Sequence, residues 1–128
     1  MLGQREKDIY GQFTLKDIEN DLKQLLHPYG YQLDSYQSNH EGELIDHLQK
    51  ADGLYKGIIF NPAAYTHTSI ALYDAIKAIQ TPVIEVHISN IHRREAYRQT
   101  SMIAGACYGQ IVGMGIKSYR LAALAFLE

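Results

Sequence analysis

In the stretch TLKDIENDLKQLLHPYG, Leu15, Ile18, Leu22, Leu25 and Leu26 recur at the three- and four-residue spacing of one helical face. Thr14 can cap this helix, Asp17 suits its first turn, and Pro28 and Gly30 end it. YQLDSYQ then reads as a strand, and EGELIDHLQKA as a short helix with Leu44, Ile45 and Leu48 facing inward. GIIF (57–60) is a short, wholly apolar strand of the kind buried on both faces. SIALYDAIKAI predicts a helix stopped by the Thr-Pro pair at 81–82, and VIEV predicts another buried strand. QIVGM (110–114) reads as a further strand and KSYRLAALAFL as the closing helix. The first residues, MLGQREKDIYGQF, carry charge, glycine and no clear period, which predicts a loop.

The resulting order, α-β-α-β-α-β-(α)-β-α, implies an α/β fold: a doubly wound parallel sheet with helices on both faces. Such a fold normally opens with a strand, whereas this chain opens with a loop and a helix. At 128 residues the chain fits one domain, divided into a loop region, 1–13, and an α/β body, 14–128. Apolar residues at 46% and charged residues at 20% describe a globular composition. A net charge of −2 gives no global attraction to nucleic acid, so any anion must be held by a local patch. No apolar run approaches the roughly 20 residues of a membrane helix. The one cysteine, Cys107, can form no internal disulfide, and a cytoplasmic location follows as the default.

In open parallel sheets the ligand lies beyond the carboxyl ends of the strands. NPAAYTHTS follows GIIF, and HISNIHRREAYR follows VIEV, so both polar stretches should emerge at one edge. Glu85 precedes His87 by two positions, and strand alternation puts both on one face, where a carboxylate can hold the imidazole. A purely structural histidine satisfies the same pattern. Arg94 and Arg98 are four apart and share a helical face, with Arg93 pointing elsewhere. They can form a solvated face with Glu95 or a clamp for a carboxylate or phosphate. Asn61, His67 and Ser69 suit a recognition loop feeding a helix, and Ser69 suits that helix's N-cap equally well. Arg5 and Tyr10 are individually uninformative, although cations beside a phenol favour its phenolate and make it a base. The scattered histidines predict no metal site.

Together LGQREKDIYGQFTL, YQSNHEGELID, FNPAAYTHTSIALYDAI, PVIEVHISNIHRREAYRQTS and GQIVGMGIKSYRLA resemble type II 3-dehydroquinate dehydratase, in that family's order and over nearly the whole chain. EVHISN with a downstream RE…R, and N-P-x-A-x-x-H-x-S, are its specific motifs. The resemblance implies a flavodoxin-like fold, a homo-oligomer in which trimers form a dodecamer, and no metal or organic cofactor. It implies a lyase that removes water from 3-dehydroquinate through an enolate to give 3-dehydroshikimate, in the shikimate or quinate route. By position, Tyr10 is then the general base, on a mobile lid with Arg5, and Arg94 favours the tyrosinate. His87 is the general acid, with Glu85 orienting its ring. Asn61 and the backbone N–H groups of Ile88 and Ser89 hold the substrate carboxylate. His67 and Arg98 bind its hydroxyls, and Asp74 reaches a neighbouring subunit's site.

Family members usually begin with one more strand and an Asn-Gly-Pro-Asn loop ahead of the Leu-Gly seen here at 2–3. The chain thus reads as N-terminally truncated, with the usual first, central strand absent and its activity expected to be low. Lys7 and the Ala63-Ala64 pair also depart from the family, at positions whose side chains do no chemistry. Two other classes compete: an oligomeric scaffold or small-anion binding protein without turnover, and an unrelated flavodoxin-like receiver or nucleotide-binding module. The latter lacks the acidic clusters and Gly-rich loops it would need.

Overall fold

In a computed structural model, which describes residues 14–88 and 100–127, helices cover both faces of a small parallel sheet. Thr14 and Asp17 form a reciprocal capping box at the start of helix α1 (Leu15–Leu26), satisfying the backbone N–H of each other. A 3-10 turn (His27–Tyr29) follows and ends at Gly30, whose φ of 78° is the left-handed conformation that glycine adopts without strain. Helix α2 (Glu41–Ala51) precedes strand β1 (Ile58–Phe60), and helix α3 (Ile70–Ala78) separates it from strand β2 (Val83–His87). Strand β3 (Gly109–Val112) and helix α4 (Lys117–Leu127) complete the described strands and α-helices.

The sheet order is β1-β2-β3, with both pairs parallel. Alternation along the buried β2 strand splits the interior into two layers. Ile84 and Val86 join Ile18 and Leu22 of α1 and Tyr119, Ala122 and Ala123 of α4. Val83 and Phe60 join Leu44 and Leu48 of α2 and Leu72, Ala75 and Ile76 of α3. Burial of these side chains is the main force holding the layers, at roughly 1.5–3 kcal/mol for each large one.

The expected strand YQLDSYQ does not form: residues 31–38 have no regular structure. No described strand lies beside this segment to accept a ladder, so side chains hold it instead. Ser35 donates to Glu19 at 2.8 Å, Tyr55 to Asp34 at 2.6 Å and Lys56 to Tyr31 at 2.9 Å. Tyr36 stacks on His47 with ring centroids 3.4 Å apart, while Leu33 packs on the α1–α4 layer. The last strand is also one residue earlier than QIVGM: Gly109 pairs with Ile84, and the strand ends at Val112. Gly113 turns the chain with φ 79°, and its N–H reaches the His87 carbonyl, leaving Met114 exposed. The predicted loop 1–13 lies outside the described residues.

At the amino end of the sheet, Asp52 accepts the backbone N–H groups of Gln80 and Thr81 at 2.9 and 3.1 Å. These bonds hold its carboxyl below the ordinary aspartate range. A depressed folded-state pKa stabilises the fold above the unfolded value, 3.8, and that contribution is lost as pH falls through the folded value. Asp52→Asn should therefore lower the urea unfolding midpoint at pH 7, with the difference from the parent protein shrinking at pH 3. An equal difference at both pH values would contradict this role.

Candidate active site

Because β1 and β2 run parallel with Phe60 opposite Glu85, the residues following both strands leave the sheet at the same edge. Asn61 follows β1, and His87 ends β2. The His87 ring nitrogen Nε2 lies 2.5 Å from Oε2 of Glu85, and both residues are buried. The expected Glu85–His87 pair is present. Glu85 occupies Nε2, so proton exchange between this imidazole and a ligand must run through Nδ1.

Glu85 has 0% exposure, a costly position for a carboxylate unless its oxygens are bonded. Three side chains bond it. Besides His87, Ser101 donates its hydroxyl at 2.8 Å to Oε2 and 3.0 Å to Oε1. Gln110 donates its side-chain amide to Oε1 at 3.2 Å from the directly paired position on β3. The sequence reading missed Ser101 and Gln110. Their signal was a polar residue within an apolar strand, and a serine just beyond the arginine-rich stretch.

Asn61 shapes its own turn, accepting the Ala63 N–H at 3.1 Å, and donates its amide to the Tyr119 hydroxyl at 3.2 Å. Strand alternation points Asn61 toward the α1–α4 layer and His87 toward the α2–α3 layer. Burial raises the Tyr119 phenol's pKa, and the bond from Asn61 opposes that rise. Tyr119 is a second partner that the sequence reading missed. Ala63 has φ 54°, a left-handed conformation that strains a residue with a Cβ.

Ring nitrogen Nδ1 of His67 lies 2.9 Å from the Thr100 carbonyl. A carbonyl only accepts, so Nδ1 carries hydrogen and Nε2 is left for other contacts. Ser69 caps α3 by accepting the Leu72 N–H at 2.9 Å, as expected of an N-cap. Ile88 is buried one residue beyond β2, and its carbonyl accepts the Gly115 N–H. Asp74 is exposed on α3. Among the described residues, no hydrogen bond joins Asn61 or His67 to His87. The other expected site residues, Arg5, Tyr10, Ser89, Arg94 and Arg98, lie outside the described residues.

Cys107 is half-buried near Glu85. Burial, aided by the negative charge of Glu85, pushes its thiol up to about 12. At pH 8 the fall in thiolate fraction outweighs the higher nucleophilicity of a more basic thiol. Maleimide-free disulfide reagents should react with it tens-fold more slowly in the folded protein than in urea, roughly as that balance dictates. Equal rates in the two states would contradict this environment.

The sequence model of the family described as Dehydroquinase class II matches residues 1–127. The chain is 57% identical over 127 residues to the 3-dehydroquinate dehydratase of Anoxybacillus flavithermus, covering 99% of this chain and 86% of that protein. It is 55% identical to the Bacillus cytotoxicus 3-dehydroquinate dehydratase, covering 99% of this chain and 87% of that one. The crystal structure of type II dehydroquinase from Butyrivibrio crossotus superimposes with a TM-score of 0.93 at 41% identity, covering 99% of this chain and 89% of that chain.

Proposed function

The chain belongs to the class II dehydroquinase family, and from that membership we propose that it converts 3-dehydroquinate to 3-dehydroshikimate by eliminating water. The observation that carries this reading is the buried Glu85–His87 pair at the carboxyl end of β2. Elimination beside a ketone requires a base, an acid and stabilisation of the developing oxyanion. Tyr10 takes the proton next to the ketone, giving an enolate, with Arg5 assisting and Arg94 favouring the tyrosinate. His87 gives its Nδ1 proton to the departing hydroxyl, which leaves as water. Glu85 keeps the ring turned so that Nδ1 faces the substrate.

Asn61, with the N–H groups of Ile88 and Ser89, holds the substrate carboxylate, and His67 and Arg98 hold its hydroxyls. The Nδ1–H bond from His67 to Thr100 supports its part by fixing which nitrogen, Nε2, can meet a ligand. The three parallel strands and their two helical layers are compatible with a flavodoxin-like arrangement, which we include in the proposal. A homo-oligomer of trimers, assembled into a dodecamer, completes it, with Asp74 serving a neighbouring subunit's site. The outward position of Asp74, and of Ile70 on the same helix at 62% exposure, supports a contact there.

Formation of the conjugated enone of 3-dehydroshikimate is followed by its ultraviolet absorbance. The protein should produce it, and His87→Ala should lower kcat by about 100-fold or more, the usual scale of general acid catalysis. Absence of product, or turnover unchanged in His87→Ala, would overturn the reading. Sedimentation at micromolar concentration should show a closed oligomer whose mass is a multiple of three chains. A monomer across the accessible concentration range would remove Asp74 from any shared site.

A further inference from the structure

The Glu85 carboxylate is oriented from behind by groups outside the set of residues expected to meet substrate. The Ser101 hydroxyl accepts the backbone N–H groups of Ile103 and Ala104 at 3.3 and 3.1 Å. Those two donors take up the lone pairs of Oγ, so the hydroxyl proton has one direction left, toward Glu85. There it spans both carboxylate oxygens, at 2.8 and 3.0 Å. The turn that supplies the backbone donors is itself fixed. Met102 donates its N–H to the Thr66 carbonyl at 2.7 Å, and Ile103 is buried in the α2–α3 layer. The preceding residue, Thr100, supplies the carbonyl that holds His67.

We propose that Ser101 is a positioning residue of the dehydration reaction: it locks the Glu85 carboxylate in the orientation that holds the His87 ring, with Gln110 as the second donor. The inference rests on the dehydratase reading for its kinetic consequence and on geometry alone for its structural one. Without the Ser101 hydroxyl, Oε2 would keep only His87, and the carboxylate would be free to rotate toward Gln110. Two backbone N–H groups would also lose their acceptor, a loss that thermal unfolding measures separately.

The test compares Ser101→Ala and Ser101→Thr with the parent protein, each also combined with Glu85→Gln. Loss of a hydrogen bond to a charged group predicts a roughly 10-fold or greater fall in kcat for Ser101→Ala, with KM changed little. Ser101→Thr, which keeps the hydroxyl, should recover most of that loss. In the Glu85→Gln background the same Ser101→Ala change should add little, because its effect passes through Glu85. An equal fold-loss in both backgrounds, or a rise in KM with kcat unchanged, would overturn the proposal.

A readout without substrate separates this proposal from the reading it rests on. The His87 Nε2–H proton, identified by its loss in His87→Ala, should exchange with solvent faster in Ser101→Ala than in the parent protein. Faster exchange in a protein that makes no enone would refute the dehydratase reading and support the positioning role. Unchanged exchange would refute the positioning role whatever the turnover.

Discussion

A carboxylate with no exposure to water stands in the middle of the central described strand, and much of the surrounding arrangement exists to satisfy it. Unpaired, such a group costs several kcal/mol, a large part of the 5–15 kcal/mol by which a domain of this kind is stable. Glu85 therefore needs donors on both oxygens. They arrive from its own strand, from the neighbouring strand and from the turn after residue 99, through His87, Gln110 and Ser101. Replacing the network with apolar side chains would serve stability about as well. Its closeness to the edge where open sheets bind ligands is what the proposed chemistry requires of it.

The two layers give that edge two differently held sides. On the α1–α4 side, Asn61 is tied to the Tyr119 hydroxyl, and Ala63 holds a left-handed turn. On the α2–α3 side, Glu85 and His87 are braced by Ser101. His67 is fixed to Thr100, one residue before that brace. A shift in the 100–104 segment would thus reach the imidazoles of both His67 and His87, two members of the proposed site.

The helices were legible because their signals are local. Thr14 with Asp17, and Ser69, announce helix starts within a few residues, and the spacing of Ile18 and Leu22 reports the buried face. The Glu85–His87 pair was legible for the same reason, since a separation of two on a strand fixes a shared face. YQLDSYQ was misread because a strand needs a neighbour, and nothing within seven residues says whether one is present. Ser101, Gln110 and Tyr119 escaped for a related reason. They lie 16, 25 and 58 residues from the side chains they bond, so their meaning depends on how the chain returns to the sheet.

The pairing of Gln110 opposite Glu85 also bears on how the sheet assembles. Strands of three to five residues with apolar side chains on both faces fit one another in more than one alignment. Ile84, Val86 and Ile111 alone would distinguish those alignments weakly. Moving β3 along by one residue would set Gly109 or Ile111 against the buried carboxylate, neither with a side-chain donor, and send the amide to the other layer. The same contact that bonds Glu85 in the finished protein therefore favours the one alignment of β3 in which the buried carboxylate meets an amide donor.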